Sequence, residues 1–513
     1  MNGKRLVKCL IIASLIINFQ NISFAQNITK GPYLVLPTES SITIRWEMDK
    51  PSKGSLSYGV DQSLNKSQKI HLREKKENHY LYEASLVNLS PLTQYYYQVR
   101  VGKEKSLLSY FKTTSSIDKD FSFVAMGDSR SNPAIFQVIS DQINAINPDL
   151  IISMGDLVEN GGTFQQWGEY YFNVAGNVIN HIPLISTLGD HEGDGDDGDL
   201  FRHYFLNDES VREQWFSYDM GDAHFVSLDY RHPQNEKMIE WFKKDMASCK
   251  TKWRFVYMHR PCYNLGGHRS AWGKGIWPEL FRKYKIDIVF AGHSHQYERF
   301  YPIRPSDDSE SWPVTYITTG GAGAGLYEVT QHPYLAKAES VNHFMYIDIK
   351  DDTLNSTVYL NDGSILDHFK FIKNDKSYNK EYLVQIKPQD YLDVFSMFAG
   401  AISFSVETLP LRSHPASANI ELVSYLSNED IPFEITLAPE SAEFYRIEPI
   451  KGVLGKGQAL NVPVNIFNRN GDLILSRWGD IKPELRLIAK YSTSNTTEEV
   501  MGSIIDYWPD DDY

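Results

Sequence analysis

The chain has 513 residues, 42% of them hydrophobic and 23% charged, with a net charge of −14. That length exceeds one hydrophobic core and sets an expectation of about three domains. An acidic balance of this size removes the electrostatic case for general nucleic-acid binding.

The first segment reads MNGKRLVKCLIIASLIINFQNISFAQN. Lys4, Arg5 and Lys8 precede an apolar stretch from Cys9 to Ile17, and Ser23-Phe24-Ala25 offers a small-residue cleavage site. Residues 1–25 therefore read as a secretory signal peptide, too short to span a membrane as a mature helix. Cys9 lies inside the apolar stretch and not after it, which argues against a lipid-modified cysteine. No later segment is apolar enough to cross a bilayer. The mature chain is expected to be soluble and exported, periplasmic or extracellular.

Residues 27–115 are patterned as β throughout. SITIRWEM alternates, with Ile42, Ile44 and Trp46 on one face, and HYLYEASL, TQYYYQVRV and SLLSYFKTT follow. The run from Leu89 to Tyr95 looks like the tyrosine corner of a β-sandwich, so the region resembles a fibronectin type III domain. Its many tyrosines read as packing in preference to sugar binding.

Near Phe121 the rhythm becomes strand, helix, strand and continues to residue 372. FSFVAM, DLIISM, PLISTL, RFVYM and DIVFA are short apolar runs suited to a sheet covered by helices. NPAIFQVISDQINAI predicts a helix with Asn132 as N-cap, Pro133 in the first turn, and Ile135, Ile139, Ile143 and Ile146 as its buried stripe. TYITTGGAGAGLYEV carries a glycine-rich loop without the Lys-Ser/Thr of a phosphate-cradling loop, and reads as a tight turn beside a site. MYIDIKDDTLNSTVYLNDGSILDHFKFI closes the region as hairpins around the NDG turn. Residues 380–508 are β-patterned again and suggest a second sandwich with no cluster of ligand-type residues and no assigned chemistry. The tail WPDDDY is expected to fray. Cys249 and Cys262 flank a strand that spans about 20 Å, beyond the reach of a disulfide, so two buried thiols are expected.

The chemistry sits where these apolar runs stop. VFAGHSHQYER places His293 and His295 after one run, alternating so that both rings face one side. FVAMGDSR supplies Asp128, IISMGDLVENG Asp156, ISTLGDHEG Asp190 and His191, and FVYMHRPCY His259. Strand ends converge on one rim of an α/β sheet, where ligands bind. Any one of these residues alone reads more simply as a helix cap or a satisfied core histidine, whereas five strand ends in order do not. Carboxylates mixed with imidazoles, without thiolate, suit first-row divalent metals better than calcium.

GDSR, GDLVENG, GDHE, HRPCYN and AGHSHQYERFYP together resemble the calcineurin-like metallophosphoesterases, in their purple-acid-phosphatase-like branch, over about residues 27–372. The resemblance implies a multidomain α/β plus all-β fold, a central metallophosphoesterase α/β sandwich flanked by N-terminal and C-terminal β-sandwiches. It also implies two metal ions, divalent or of mixed valence, drawn from Mn, Fe or Zn. Asp128, Asp156 and His295 would hold one, and Asp156, Asp190, His259 and His293 the other. A water or hydroxide between them would attack the phosphorus of a small phosphate ester, with His191 contacting phosphate and protonating the leaving oxygen. His268, in GGHRS, sits where related enzymes bring a histidine to the substrate.

Three positions depart from that pattern. Arg130 and Glu159 stand where the family usually has a histidine and a tyrosine, so the first metal is one protein ligand short unless Glu159 reaches it. Arg130 either clamps a phosphate oxygen or pairs with Glu159, and the reading favours the pair. Without a tyrosinate on iron, no purple colour is expected. Asp190 replaces the usual Asn, which adds a carboxylate charge around the metals. GDGDDGD (193–199) lacks EF-hand spacing and reads as a solvated loop. The alternatives are a phosphodiesterase or nucleotide hydrolase on the same site, or a non-catalytic extracellular binding protein with a degenerate site. The sequence carries no signal for an oligomeric state.

Overall fold

The computed structural model describes residues 28–506 apart from 36, 103, 115–119, 207–213, 375, 407, 425, 427 and 476–479. The expected signal peptide and the tail from 507 onward lie outside the described residues. Among the described residues, no helix is long and apolar enough to cross a membrane.

The front of the chain is a β-sandwich. One sheet orders its strands Ile28–Val35, Ile42–Met48, His79–Leu86 and His71–Lys76, and the facing sheet is built around Gly54–Gly59 and Gln94–Val101. Trp46, Tyr95, Tyr97 and Phe111 fill the space between them. The tyrosine corner forms as expected, with the Ser90 amide donating to the Tyr95 hydroxyl at 2.9 Å.

The alternation of Ile42–Met48 does not leave its other face in water. Arg45 and Glu47 are buried as completely as Ile44 and Trp46, because this face docks on the segment around Tyr204. Arg45 donates to the carbonyls of Tyr204 (3.0 Å) and Leu206 (3.1 Å), and the Tyr204 hydroxyl donates to Glu47 (2.6 Å). Buried charges persist when each is paired and hydrogen-bonded, and Lys30 and Glu83 complete the pairs.

The centre is two sheets packed face to face with helices outside. The first orders Leu184–Ser186, Leu150–Ser153, Asp120–Met126, His343–Lys350, Thr353–Leu360 and Ile365–Ile372; its first three strands run parallel. The second runs Phe216–Met220, Ala223–Ser227, Trp253–Met258, Ile288–Ala291, Thr315–Thr319, Tyr297–Phe300 and Leu335–Glu339, with four neighbours parallel. Phe123 of the first sheet meets Phe225 and Phe255 of the second at centroid distances of 5.1 and 5.3 Å. Close aromatic contacts of this kind, one edge-on and one tilted, add to the burial that holds two sheets together.

The helix Pro133–Ile146 starts as predicted, with Asn132 capping the Ile135 amide. Its buried stripe is rotated from the isoleucine stripe expected: Phe136, Ile139, Ser140 and Ile143 face inward, while Ile135 and Ile146 are partly buried. Phe136 offers more apolar area than either, and it takes the inner position. The GDGDDGD segment is more tied down than a solvated loop. Asp196 accepts from the amides of Asp199 and Leu200, Asp197 pairs with Arg231, and Asp199 with Lys76. Cys249 is half-buried and Cys262 buried, both as free thiols, so only one fits the expectation of buried thiols.

The C-terminal region is β-rich, but a helix, Gln389–Ala401, precedes its strands. Leu392, Phe395, Phe398 and Ala399 recur at helical spacing on its buried face, which corrects the all-β reading of this stretch. The region clasps the loop that carries His268. Arg269 donates to the Met501 carbonyl at 2.8 Å, and the Tyr263 hydroxyl to Asp393 at 2.7 Å.

Away from the rim of the parallel strands, His224 lies between Asp219 (2.6 Å) and Asp245 (2.8 Å). Burial works against its charge, but the hydrogen bonds to both carboxylates outweigh burial and raise its pKa to about 9 from 6.5. A raised folded pKa stabilises fully below the unfolded value and is lost as pH rises through the folded one. Wild type should therefore lose more stability between pH 6.5 and 9 than His224→Gln does, as read by urea denaturation of metal-saturated protein. Parallel pH profiles would count against the paired imidazolium.

Candidate metal centre

Five of the parallel strands of the two sheets end at one rim and deliver side chains there. Asp128 follows Asp120–Met126, Asp156 follows Leu150–Ser153, and Asp190 with His191 follows Leu184–Ser186. His259 follows Trp253–Met258, and His293 and His295 follow Ile288–Ala291. The chain can turn this sharply because glycine precedes most of these residues. A Cβ on Gly189 would lie 2.2 Å from the Asp156 amide, and one on Gly292 would lie 2.4 Å from Asp128 Oδ2. Asp128, Asp156 and His293 themselves sit at φ +60°, +57° and +68°. Non-glycine residues adopt that region at a cost and cluster at functional sites.

The result is one compact pocket. Asp190 Oδ2 lies 2.8 Å from His293 Nδ1 and 3.6 Å from His259 Nε2, and Asp156 Oδ1 lies 3.5 Å from His259 Nε2. Asp128 Oδ1 is 3.5 Å from His295 Nε2, and both Asp128 oxygens accept from the His293 amide. Two groups of donor atoms, Asp190/His259/His293 and Asp128/Asp156/His259, each fall within a 4.8 Å span.

The imidazoles are aimed by their other nitrogens. His259 Nδ1 donates to the Met154 carbonyl (2.8 Å), His295 Nδ1 to the Gly325 carbonyl (2.6 Å), and His191 Nδ1 to the Glu159 carbonyl (2.8 Å). Nε2 of each ring is left facing the pocket, the arrangement of a metal-ligating or proton-transferring histidine. His259 Nε2 is buried and has no hydrogen-bond partner among the described residues. Burial alone would lower its pKa, yet Asp156 and Asp190 push it up to about 10. For Asp190 burial pushes upward, and His259 and His293 hold the carboxyl well below the usual range. A field that would protonate a buried imidazole is one that a metal cation satisfies directly, so the donors here fit a metal ion.

The remaining predicted residues fall around this core. His191 is partly exposed, its amide donating to Asp156 Oδ1 (3.0 Å) and its Nε2 lying 3.9 Å from Asp156 Oδ2. His268 stacks on His293 with ring centroids 4.2 Å apart. Burial, with His293 next, lowers its pKa to about 4, which leaves it neutral at ordinary pH. Arg130 does pair with Glu159 (3.0 Å), and it also reaches Asp156 Oδ2 (3.1 Å).

Two residues that sequence reasoning passed over shape the site. Glu192 is buried and accepts from four amides: Asp156 (2.8 Å), Leu157 (2.5 Å), Val158 (3.3 Å) and Gly189 (2.7 Å). Burial and the Asp156 charge push its carboxyl up to about 8, while these amides pull the other way. Its place three residues after Gly189 at a helix start is a capping pattern that could have revealed it. Arg260 donates to Asp190 Oδ1 at 2.9 Å and lies over the Tyr230 ring. The charge that Asp190 adds relative to Asn therefore has a cation beside it.

Comparison with known proteins matches residues 121–297 to the calcineurin-like phosphoesterase family and residues 30–116 to the purple acid phosphatase N-terminal domain. The chain carries a calcineurin-like metallophosphoesterase domain behind a purple acid phosphatase N-terminal domain. This metallophosphoesterase is 25% identical over 377 residues to a phosphoenolpyruvate phosphatase of Allium cepa, covering 64% of the chain and 76% of that protein. It is 29% identical over 255 residues to purple acid phosphatase 21 of Arabidopsis thaliana, covering 46% and 56%. Acid phosphatase type 7 of Mus musculus is 23% identical over 334 residues, covering 55% and 75%. Among solved structures, purple acid phosphatase PPD1 from yellow lupin, Lupinus luteus, shares the fold at a TM-score of 0.60 and 16% identity, over 69% of this chain and 76% of that one. The metallophosphoesterase is a metal-dependent phosphoester hydrolase, and its relatives imply a binuclear metal centre.

Proposed function

We propose that the protein is an exported phosphatase that hydrolyses a small phosphate ester at this rim. The observation that carries the reading is the buried His259 Nε2, without a hydrogen-bond partner among the described residues, between Asp156 and Asp190 in a pocket closed by His293. Asp156, Asp190, His259 and His293 hold one metal position; Asp128, Asp156 and His295 line the other. Metal ions bound there supply Lewis acidity toward the phosphoryl oxygens and make water nucleophilic near neutral pH. Mixed carboxylate and imidazole donors favour Mn, Fe or Zn.

The chain's own residues do the rest. His191 faces the pocket from the solvent side with its ring held by the Glu159 carbonyl, and it delivers a proton to the leaving oxygen. His268, neutral and stacked on His293, offers an imidazole nitrogen to the substrate. Glu159 stands where the family has tyrosine and is occupied by Arg130, so the loaded protein has no tyrosinate and no purple colour. Export rests on the leader of residues 1–25. Assay of p-nitrophenyl phosphate beside its bis-ester tests the substrate class. Faster turnover of the monoester supports a phosphatase; preference for the bis-ester, or no turnover by metal-loaded protein, contradicts it.

A further inference from the structure

We propose that the Arg130 guanidinium occupies the first of the two metal positions, so that the chain holds one metal tightly and carries a fixed organic cation beside it. Arg130 lies two residues after Asp128, and its side chain is only 13% exposed. Nε donates to Asp156 Oδ2 at 3.1 Å, Nη1 to Glu159 at 3.0 Å, and Nη2 lies 3.4 Å from His295 Nε2. Two of the three groups assigned to the first position are thus already held by one planar cation. Guanidinium cannot be deprotonated in a protein and presents its donors in a rigid fork. An ion entering among Asp128, Asp156 and His295 would meet this charge at close range and would have to break its hydrogen bonds.

The second position has no such occupant. Arg260 donates to Asp190 Oδ1 at 2.9 Å and to Oδ2 at 3.3 Å, but it touches this one carboxylate only, from a side chain 44% exposed, and Oδ2 still faces His293 at 2.8 Å and His259 at 3.6 Å. His259 Nε2 has no hydrogen-bond partner among the described residues. The two positions are therefore unequal, one pre-neutralised from within and one open to a cation.

The inference rests on reading the pocket as a metal centre, and metal content tests it without reference to turnover. Full-length protein, stripped with chelator, is titrated with Mn(II) and then dialysed before elemental analysis and electron paramagnetic resonance. Wild type should retain one equivalent with an uncoupled Mn(II) spectrum. Arg130→His, which places an imidazole at this position, should retain two and show exchange coupling. Arg130→Ala controls for a histidine that fails to reach, and should bind the second equivalent at least about tenfold more tightly than wild type does. Two equivalents of comparable affinity in wild type, or one equivalent in both folded variants, would overturn the proposal while leaving the metal-centre reading intact. No bound metal in wild type would overturn both.

Discussion

Glu192→Ala should lower stability by on the order of 4 kcal/mol and loosen metal binding at the same time. The buried Glu192 carboxyl group is the acceptor for the amides of Asp156, Leu157, Val158 and Gly189. Each buried amide left without an acceptor costs about 1–3 kcal/mol, and the alanine side chain is too short to admit a partner for all four. The same amides belong to the turns that present Asp156 and Asp190, so the loss reaches the ligands directly. Glu192→Gln keeps one oxygen and should fall between the two. Equilibrium denaturation and metal titration read both effects. A stability loss under about 1 kcal/mol, with unchanged metal affinity, would mean that other contacts hold these turns.

His191→Ala should reduce kcat by about 10²–10⁴-fold, the usual range for a positioned general acid, with metal content unchanged. Its ring is fixed through Nδ1 by the Glu159 carbonyl, and only its backbone amide bonds to Asp156. Removing the side chain therefore removes the proton donor and leaves the Asp156 contact in place. The loss should be larger for an alkyl phosphate, whose leaving oxygen needs the proton, than for p-nitrophenyl phosphate, whose leaving oxygen needs it less. A variant that loses metal would make His191 a ligand. An equal loss on both substrates would assign it to binding.

The residues at the strand ends were readable in sequence because two independent signals coincide there. Apolar runs of four to seven residues mark buried parallel strands, and glycine before the ligand marks a place where backbone segments nearly touch. The close approach of Gly189 to Asp156 and of Gly292 to Asp128 is the physical content of those glycines. What no local pattern carries is the pairing of side chains brought together by different loops. The sequence favours Glu159 as the partner of Arg130, but the contacts of Arg130 with Asp156 and His295 depend on how three turns meet. Arg260 carries no local signal beside His259 for the same reason; only the folded rim brings it to Asp190.

The front domain shows the same limit at larger scale. Alternation correctly buried Ile42, Ile44 and Trp46, yet Arg45 and Glu47 are buried too, against Tyr204. A period-two pattern reports one packed face and is silent about a second face covered by another domain. The helix Gln389–Ala401 escaped because a 13-residue aromatic and aliphatic run between β-patterned segments satisfies either period.

The most direct test of the account is the metal dependence of p-nitrophenyl phosphate turnover in the full chain and in Asp156→Asn. Asp156 is the one carboxylate proposed at both metal positions, and it lies 3.5 Å from His259 and 3.1 Å from Arg130. Chelator should abolish turnover in wild type, and Mn, Fe or Zn should restore it in proportion to bound metal. Asp156→Asn should bind metal weakly and turn over substrate at a small fraction of the wild-type rate. Undiminished hydrolysis after metal removal, or in the Asp156→Asn chain, would contradict a metal-dependent phosphoesterase at this site.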